Sequence, residues 1–126
     1  MTDANAPQGE GQLAHDDPTT RHPKVSPPEQ DQPEPGLDVR TDPTPDIGLD
    51  SYVGRDRLQG RRALVTGGDS GIGAAVAIAF AREGADVAIA YLPAEEEDAR
   101  RVVDAIEQAG RTAVALPGDL MDRHYR

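Results

Sequence analysis

The chain has no cysteine and no tryptophan, and Lys24 is its only lysine. The absence of cysteine excludes disulfides and thiolate chemistry. No run of about 18 apolar residues occurs, and residues 1–30 lack a basic segment followed by an apolar one, so we expect neither a membrane span nor a secretion signal. A cytoplasmic protein without a membrane partner is the resulting expectation.

Basic charge is also scarce, since 13 Lys and Arg residues face 23 Asp and Glu residues and the net charge is −10. No Lys/Arg cluster is interleaved with aromatic residues, so nucleic acid is not an expected partner. The three histidines, His15, His22 and His124, have no metal-ligand spacing with one another or with acids, and no metal site is expected.

Nine of the eleven prolines lie before residue 60, and this divides the chain. Residues 1–48 have scarcely any large apolar side chain and are predicted to be a disordered, acidic, Pro-rich tail. Such a tail is either solvated or lies along a partner subunit. Residues 49–60 form a linker, and residues 61–126 a partial domain. The candidates for anchoring the linker are Leu49, Tyr52, Val53 and Leu58.

The partial domain alternates apolar runs with helical patterns. The runs 62–66, 86–91 and 112–116 are predicted strands, the first of them buried on both faces. A first helix follows residue 70 and ends at Gly84, with a stripe of Ile72, Val76, Ala79 and Phe80 at helical spacing.

A second helix begins near Pro93 and ends at Gly110. Its apolar face comprises Ala99, Val102, Val103 and Ile106. On its solvated face, two i,i+4 ion pairs are expected, namely Glu96 with Arg100 and Glu97 with Arg101. The βαβαβ order with right-handed crossovers predicts an α/β fold, the first half of a Rossmann-type parallel sheet with strand order 3-2-1.

Residues 66–73, Thr-Gly-Gly-Asp-Ser-Gly-Ile-Gly, join the first strand to the first helix. In this context we expect Gly67 to make a tight turn, Gly71 to let the backbone approach a pyrophosphate, and Gly73 to allow close helix packing. Asp69 is interpreted as a turn residue and not as a catalytic one. No Gly-Lys-Ser/Thr follows, so this is not a nucleoside-triphosphate P-loop.

The pattern Thr66-Gly67-x-x-x-Gly71-Ile72-Gly73 resembles the cofactor motif of the short-chain dehydrogenase/reductase family. The run from Ser51 to Glu97 is similar to its glucose/ribitol dehydrogenase-like and general-stress oxidoreductases, which have a Pro-rich N-terminal extension. The resemblance implies an NAD(P)-binding site. In it Ser70 and Ile72 contact the cofactor phosphates, Tyr91 lies near the adenosine ribose, and Asp119 and Leu120 border the adenine.

Tyr91-Leu92 ends the second strand, where an acid would bind a ribose hydroxyl and an arginine a 2′-phosphate. Ser70 is not basic and residues 95–97 are glutamates, so NAD is expected in preference to NADP.

The resembled family transfers protons through a Tyr-x-x-x-Lys pair with an upstream Ser, and no such pair occurs here. We therefore expect the amino-terminal part of an oxidoreductase acting on an alcohol or carbonyl, truncated before its catalytic residues and inactive alone. The whole protein is expected to be a homo-oligomer. The first strand is expected to be an exposed sheet edge. The alternative is a non-catalytic dinucleotide-binding or regulatory module with an interaction tail.

Overall fold

The computed structural model describes residues 17–20 and 22–125. Three parallel strands alternate with two helices, in the order β1 (Arg62–Thr66), α1 (Gly71–Arg82), β2 (Asp86–Tyr91), α2 (Glu96–Gln108) and β3 (Ala113–Pro117). Short 3-10 turns cover Asp38–Arg40 and Pro93–Glu95. β2 lies between β1 and β3, so the predicted βαβαβ fold and the 3-2-1 order are confirmed, with β3 one residue later than expected.

The two faces of the sheet differ in burial. Val87 and Ile89 of β2 are buried in the core formed with both helices. Leu64 of β1 points to the other face, because neighbouring residues of a strand alternate between faces, and it is 62% exposed. The expectation that β1 is buried on both faces is therefore wrong. Both helices cover the face that carries Val87 and Ile89. β1 lies at an edge of this three-stranded sheet, in agreement with the exposed edge predicted for it.

α1 contacts the core through a different face from the one predicted. Ile72 is 86% exposed, and the other three residues of the expected stripe are only partly buried. The buried residues are instead Ala74, Ala77, Ile78 and Ala81. Three of these four are alanines, whose small side chains let the helix axis approach the sheet closely, and this explains why the larger residues lie on the outer side.

The predicted apolar face of α2 is confirmed at its centre, where Ala99, Val102 and Ile106 are fully buried. The Glu96–Arg100 pair is present, with 3.5 Å between Oε1 and Nε. The prediction of a Glu97–Arg101 ion pair is wrong, because each of these side chains pairs with a residue that precedes β1. Glu97 lies 3.4 Å from Arg40, and Arg101 lies 3.9 Å from a carboxylate oxygen of Asp38.

Residues 22–60, called the arm below, pack on the domain earlier than expected. Leu37 and Ile47 are buried, and Ile47 belongs to the main core cluster. The packing of the arm on the domain therefore begins before Leu49. Leu58 is partly buried as predicted, whereas Val53 is 42% exposed. The part of the tail prediction that concerns residues 1–16 lies outside the described residues.

The last turn of α1 holds the arm through two charged side chains. The guanidinium of Arg82 donates hydrogen bonds to the backbone carbonyls of Gly48, Leu49 and Tyr52. Glu83 is buried, and its carboxylate accepts hydrogen bonds from the Tyr52 hydroxyl at 2.6 Å and from two arm amides, those of Arg55 at 2.8 Å and Arg57 at 3.1 Å. These bonds, the Tyr52 bond first, lower the pKa of Glu83 to about 2.

We predict that Glu83→Gln weakens the acid sensitivity of the fold. Because the pKa of Glu83 is depressed in the folded state, its stabilising contribution is present above its ordinary pKa of 4.5 and is lost as the pH falls toward 2. Urea unfolding at pH 6 and at pH 3 should show a smaller loss of stability in the variant than in the parent chain. Glu107→Gln, on the exposed side of α2, is the matched control and should behave like the parent. An equal pH dependence in all three proteins would contradict the assignment.

Candidate functional site

The turn between β1 and α1 lies at the carboxyl edge of the sheet. The amide of Gly67 donates to the carbonyl of Ala90 at 2.8 Å, which ties the turn to the end of β2. Gly67 has φ +63 and Gly71 has φ +51, both in the left-handed region that residues with a Cβ rarely adopt. The carboxyl edge of an open parallel sheet is where such folds bind ligands.

Gly73 brings the first turn of α1 against the backbone of the preceding turn. A Cβ at residue 73 would lie 1.9 Å from the carbonyl oxygen of Gly67, so only glycine fits there. Gly68 is a second close contact, since a Cβ there would lie 2.6 Å from Cγ2 of Ile89. Sequence reasoning missed Gly68 because the glycine pattern treats this position as variable. The two contacts hold the start of α1 close to β1 and β2.

The first turn of α1 presents backbone donors at this edge. The first intrahelical bond runs from the amide of Ala74 to the carbonyl of Ser70 at 3.1 Å, so the three preceding amides have no partner within the helix. The amide of Gly71 donates to the carboxylate of Asp38 at 2.7 Å. The amides of Ile72 and Gly73 have no acceptor among the described residues. Unpaired amides at the positive end of a helix dipole favour an anion.

A cleft of about 170 Å³ opens beside the turn, at the ends of β2 and β3. Four of the predicted site residues line it together, namely Gly67, Tyr91, Asp119 and Leu120. The other four, Ser70, Gly71, Ile72 and Gly73, lie in the turn and the start of α1 and not in the cleft wall. The wall also includes residues that sequence reasoning did not select, although they adjoin the ends of β2 and β3: Ala90, Leu92, Glu95 and Gly118.

Tyr91 forms the buried side of the cleft. Its hydroxyl donates to Oε2 of Glu96 at 2.6 Å, and burial, followed by this bond, raises the pKa of Tyr91 to about 12. The phenol is therefore neutral, and its hydroxyl proton is engaged in the hydrogen bond to the Glu96 carboxylate. Nearby, the carboxylate of Glu95 accepts the amide of Leu92 at 3.0 Å. Tyr91 supplies shape to the cleft and does not act as a proton donor to it.

Two aspartates, Asp69 and Asp119, lie near the site. Oδ1 of Asp119 accepts the amide of Met121 at 2.8 Å, which forms the turn after β3. Asp69 is 2% exposed, and its burial, together with the nearby carboxylates of Glu95 and Asp98, raises its pKa. Its Oδ2 atom has no hydrogen-bond partner in the described part of the chain. Asp119 therefore shapes the backbone beside the cleft, and Asp69 is a buried carboxyl group next to the glycine turn.

Within residues 17–20 and 22–125, no three His, Cys, Asp or Glu side chains come together as metal ligands. Over the same residues, neither helix has the length and apolar character needed to cross a membrane.

Residues 61–125 match the family described as short chain dehydrogenase. This chain belongs to that family. The match begins one residue before β1 and runs through β3, so it covers the glycine turn and the cleft.

Curated relatives match part of the arm as well as the domain. The chain is 60% identical over 109 residues to the oxidoreductase YghA of Escherichia coli, which covers 86% of this chain and 37% of that protein. It is 40% identical to general stress protein 39 of Bacillus subtilis, in an alignment that covers 82% of this chain and 36% of that protein. It is 37% identical to glucose and ribitol dehydrogenase of Daucus carota, with 75% of this chain and 34% of that protein covered. The predicted subgroup resemblance is confirmed. The chain spans about a third of the length of these relatives.

A solved short-chain dehydrogenase from Burkholderia cenocepacia, crystallised in complex with NADP, is 54% identical to this chain. The alignment covers 55% of this chain and 28% of that one, with a TM-score of 0.52.

We predict that Gly73→Ala destabilises the chain and disrupts the turn, because the new methyl group meets the backbone oxygen of Gly67. Overpacking of this kind costs about 1–3 kcal/mol of unfolding free energy. Gly36→Ala is the matched control, since a Cβ there has nothing within 4 Å and the arm is exposed at that point. Urea unfolding of both variants measures the difference, and equal stabilities would show that α1 is not held against the turn.

Proposed function

We propose that residues 61–125 form the dinucleotide-binding part of an NAD(P)-dependent oxidoreductase. The observation that carries the proposal is the pair of unpaired helix amides, at Ile72 and Gly73, beside a cleft at the carboxyl edge of a parallel sheet. A dinucleotide has an anionic pyrophosphate between two nucleosides, and this edge offers an anion site next to a space for a nucleoside. The NADP complex of the Burkholderia relative supports the same class of ligand.

Each proposed contact follows from the position of the residue in the site. The amides of Ile72 and Gly73, with the hydroxyl of Ser70, would bind the pyrophosphate. Tyr91 would face the adenosine ribose through its ring, because its hydroxyl already donates to Glu96. The adenine would lie in the cleft against Asp119 and Leu120.

A nicotinamide cofactor supplies a hydride to a carbonyl or accepts one from an alcohol. The residues of this chain bind and orient such a cofactor. Proton transfer is not assigned to them, since the residues four positions after Tyr52 and Tyr91 are Asp56 and Glu95, and Lys24 is the only lysine. We infer that the catalytic residues of the whole protein lie outside this chain, and that the chain alone does not reduce a carbonyl substrate.

The charge around the cleft favours NAD over NADP. Glu95 lines the cleft at the end of β2, where the 2′-phosphate of NADP would lie, and its neighbour Glu96 is partly buried beside Tyr91. Arg100, a cation on α2, lies 3.5 Å from Glu96 and is paired with it. The Burkholderia relative was crystallised with NADP, so a comparison of NADH with NADPH binding decides the preference of this chain.

We predict that NADH binds the chain weakly and at the glycine turn. The direct contacts number only two or three, and association costs about 4–15 kcal/mol, so a dissociation constant near the millimolar range is expected. In an NMR titration, the amides of the turn and of residues 118–120 should shift, while those of the remote residues Asp104 and Gln108 should not.

A parallel NADPH titration tests the cofactor preference. Weaker binding of NADPH than of NADH is expected, and Glu95→Gln should narrow the difference by removing one negative charge. Glu107→Gln, on the exposed surface of α2, is the control and should leave the ratio unchanged. Clearly tighter binding of NADPH to the parent chain would overturn the NAD preference. Shifts confined to other parts of the chain would overturn the proposed site.

A further inference from the structure

The arm reaches the glycine turn through one side chain. Oδ2 of Asp38 accepts the amide of Gly71, the first residue of α1, at 2.7 Å. The two residues are 33 positions apart in the sequence, so the bond joins the arm to the turn across the fold. The proposed dinucleotide contacts do not use it.

Asp38 is held in place by α2. The carboxylate of Asp98 is fully buried and accepts the amides of Asp38 at 2.6 Å and Val39 at 2.9 Å, and so caps the 3-10 turn of the arm. The guanidinium of Arg101 lies 3.9 Å from Oδ2 of Asp38. Leu37, the residue before the turn, is buried. Asp38 therefore has a backbone fixed by Asp98 and a side chain directed at α1.

α1 is not capped by its own N-cap residue. Ser70 occupies this position with an extended backbone, and its side chain makes no capping hydrogen bond. A serine at an N-cap ordinarily accepts the amide of the second or third helical residue. Here Asp38 supplies an anionic acceptor at the first amide instead, and the amides of Ile72 and Gly73 have no acceptor among the described residues.

We propose that Asp38 is a positioning residue of the glycine turn: it caps α1 from the arm and keeps the donors of its first turn ordered. The arm is then part of the site and not an appendage. The effect on the turn is independent of any ligand, whereas the effect on dinucleotide affinity rests on the proposed function.

The test compares three variants of the full 126-residue chain. Asp38→Ala removes the acceptor, whereas Asp38→Asn retains an oxygen that can accept the Gly71 amide but removes the charge. Asp50→Ala removes an exposed arm carboxylate that accepts no hydrogen bond from the described residues, and is the matched control. Hydrogen exchange at the hydrogen-bonded amides of Gly71 and Ala74 and an NADH titration are measured for each.

In Asp38→Ala we expect exchange at the amides of Gly71, which loses its acceptor, and of Ala74, which makes the first intrahelical bond, to be about five- to tenfold faster, and NADH binding to be weaker by a similar factor, which is the size of a lost helix cap. Asp38→Asn should lie within about twofold of the parent on both measurements, because asparagine and aspartate cap helix N-termini about equally well. The control should match the parent. Rescue by asparagine separates the loss of the bond from the loss of negative charge.

Unchanged exchange at Gly71 and Ala74 in Asp38→Ala would overturn the proposal. Tighter NADH binding by either Asp38 variant would also overturn it, because the carboxylate would then oppose the phosphate. If the parent bound no dinucleotide at all, the proposed function would fail, while the exchange comparison would still decide the role of Asp38. If Asp38→Ala did not fold, Asp98→Asn would take its place, because it weakens the two bonds that hold the backbone of Asp38 and Val39. Asp98→Asn should also speed exchange at the turn. Exchange at the parent's rate in this variant would contradict the proposal.

Discussion

The close approach of α1 to the backbone of Gly67 is the constraint on which the site depends. Residue 73 has no room for a Cβ, so the helix begins directly against the end of β1. The chain can turn so tightly only because Gly67 and Gly71 adopt positive φ angles. As a result the first amides of α1 lie at the carboxyl edge of the sheet, next to the cleft at the ends of β2 and β3. Fold and candidate site therefore share one cause.

Local sequence patterns predicted the elements that depend on local chemistry. The three strands, the glycine turn and the buried face of α2 follow from apolar runs, glycine spacing and a clear period of 3.6, and each lies within a residue or two of its predicted position. Strand order followed from the handedness of the crossovers. Four of the predicted site residues meet in one cleft because they lie at or just after the carboxyl ends of strands of the same parallel sheet.

The errors lie where partners distant in sequence decide the outcome. The buried face of α1 was misassigned because alanines, which carry a weak periodic signal, pack against the sheet while Ile72 remains exposed. The arm was expected to pack only from residue 49, since its composition gives no sign of the buried Leu37 or of the bonds between Asp38 and Asp98. A contact across 60 residues leaves no local pattern from which to predict it.

A crystal structure of this chain grown with NADH tests most directly whether the first turn of α1 binds a pyrophosphate. We expect the pyrophosphate oxygens to accept the amides of Ile72 and Gly73, with the adenine in the cleft beside Leu120 and the carboxylate of Asp38 still on the amide of Gly71. A dinucleotide bound elsewhere, for example on the open face of the sheet beside Leu64, would contradict the account, as would a pyrophosphate that displaces Asp38 from Gly71.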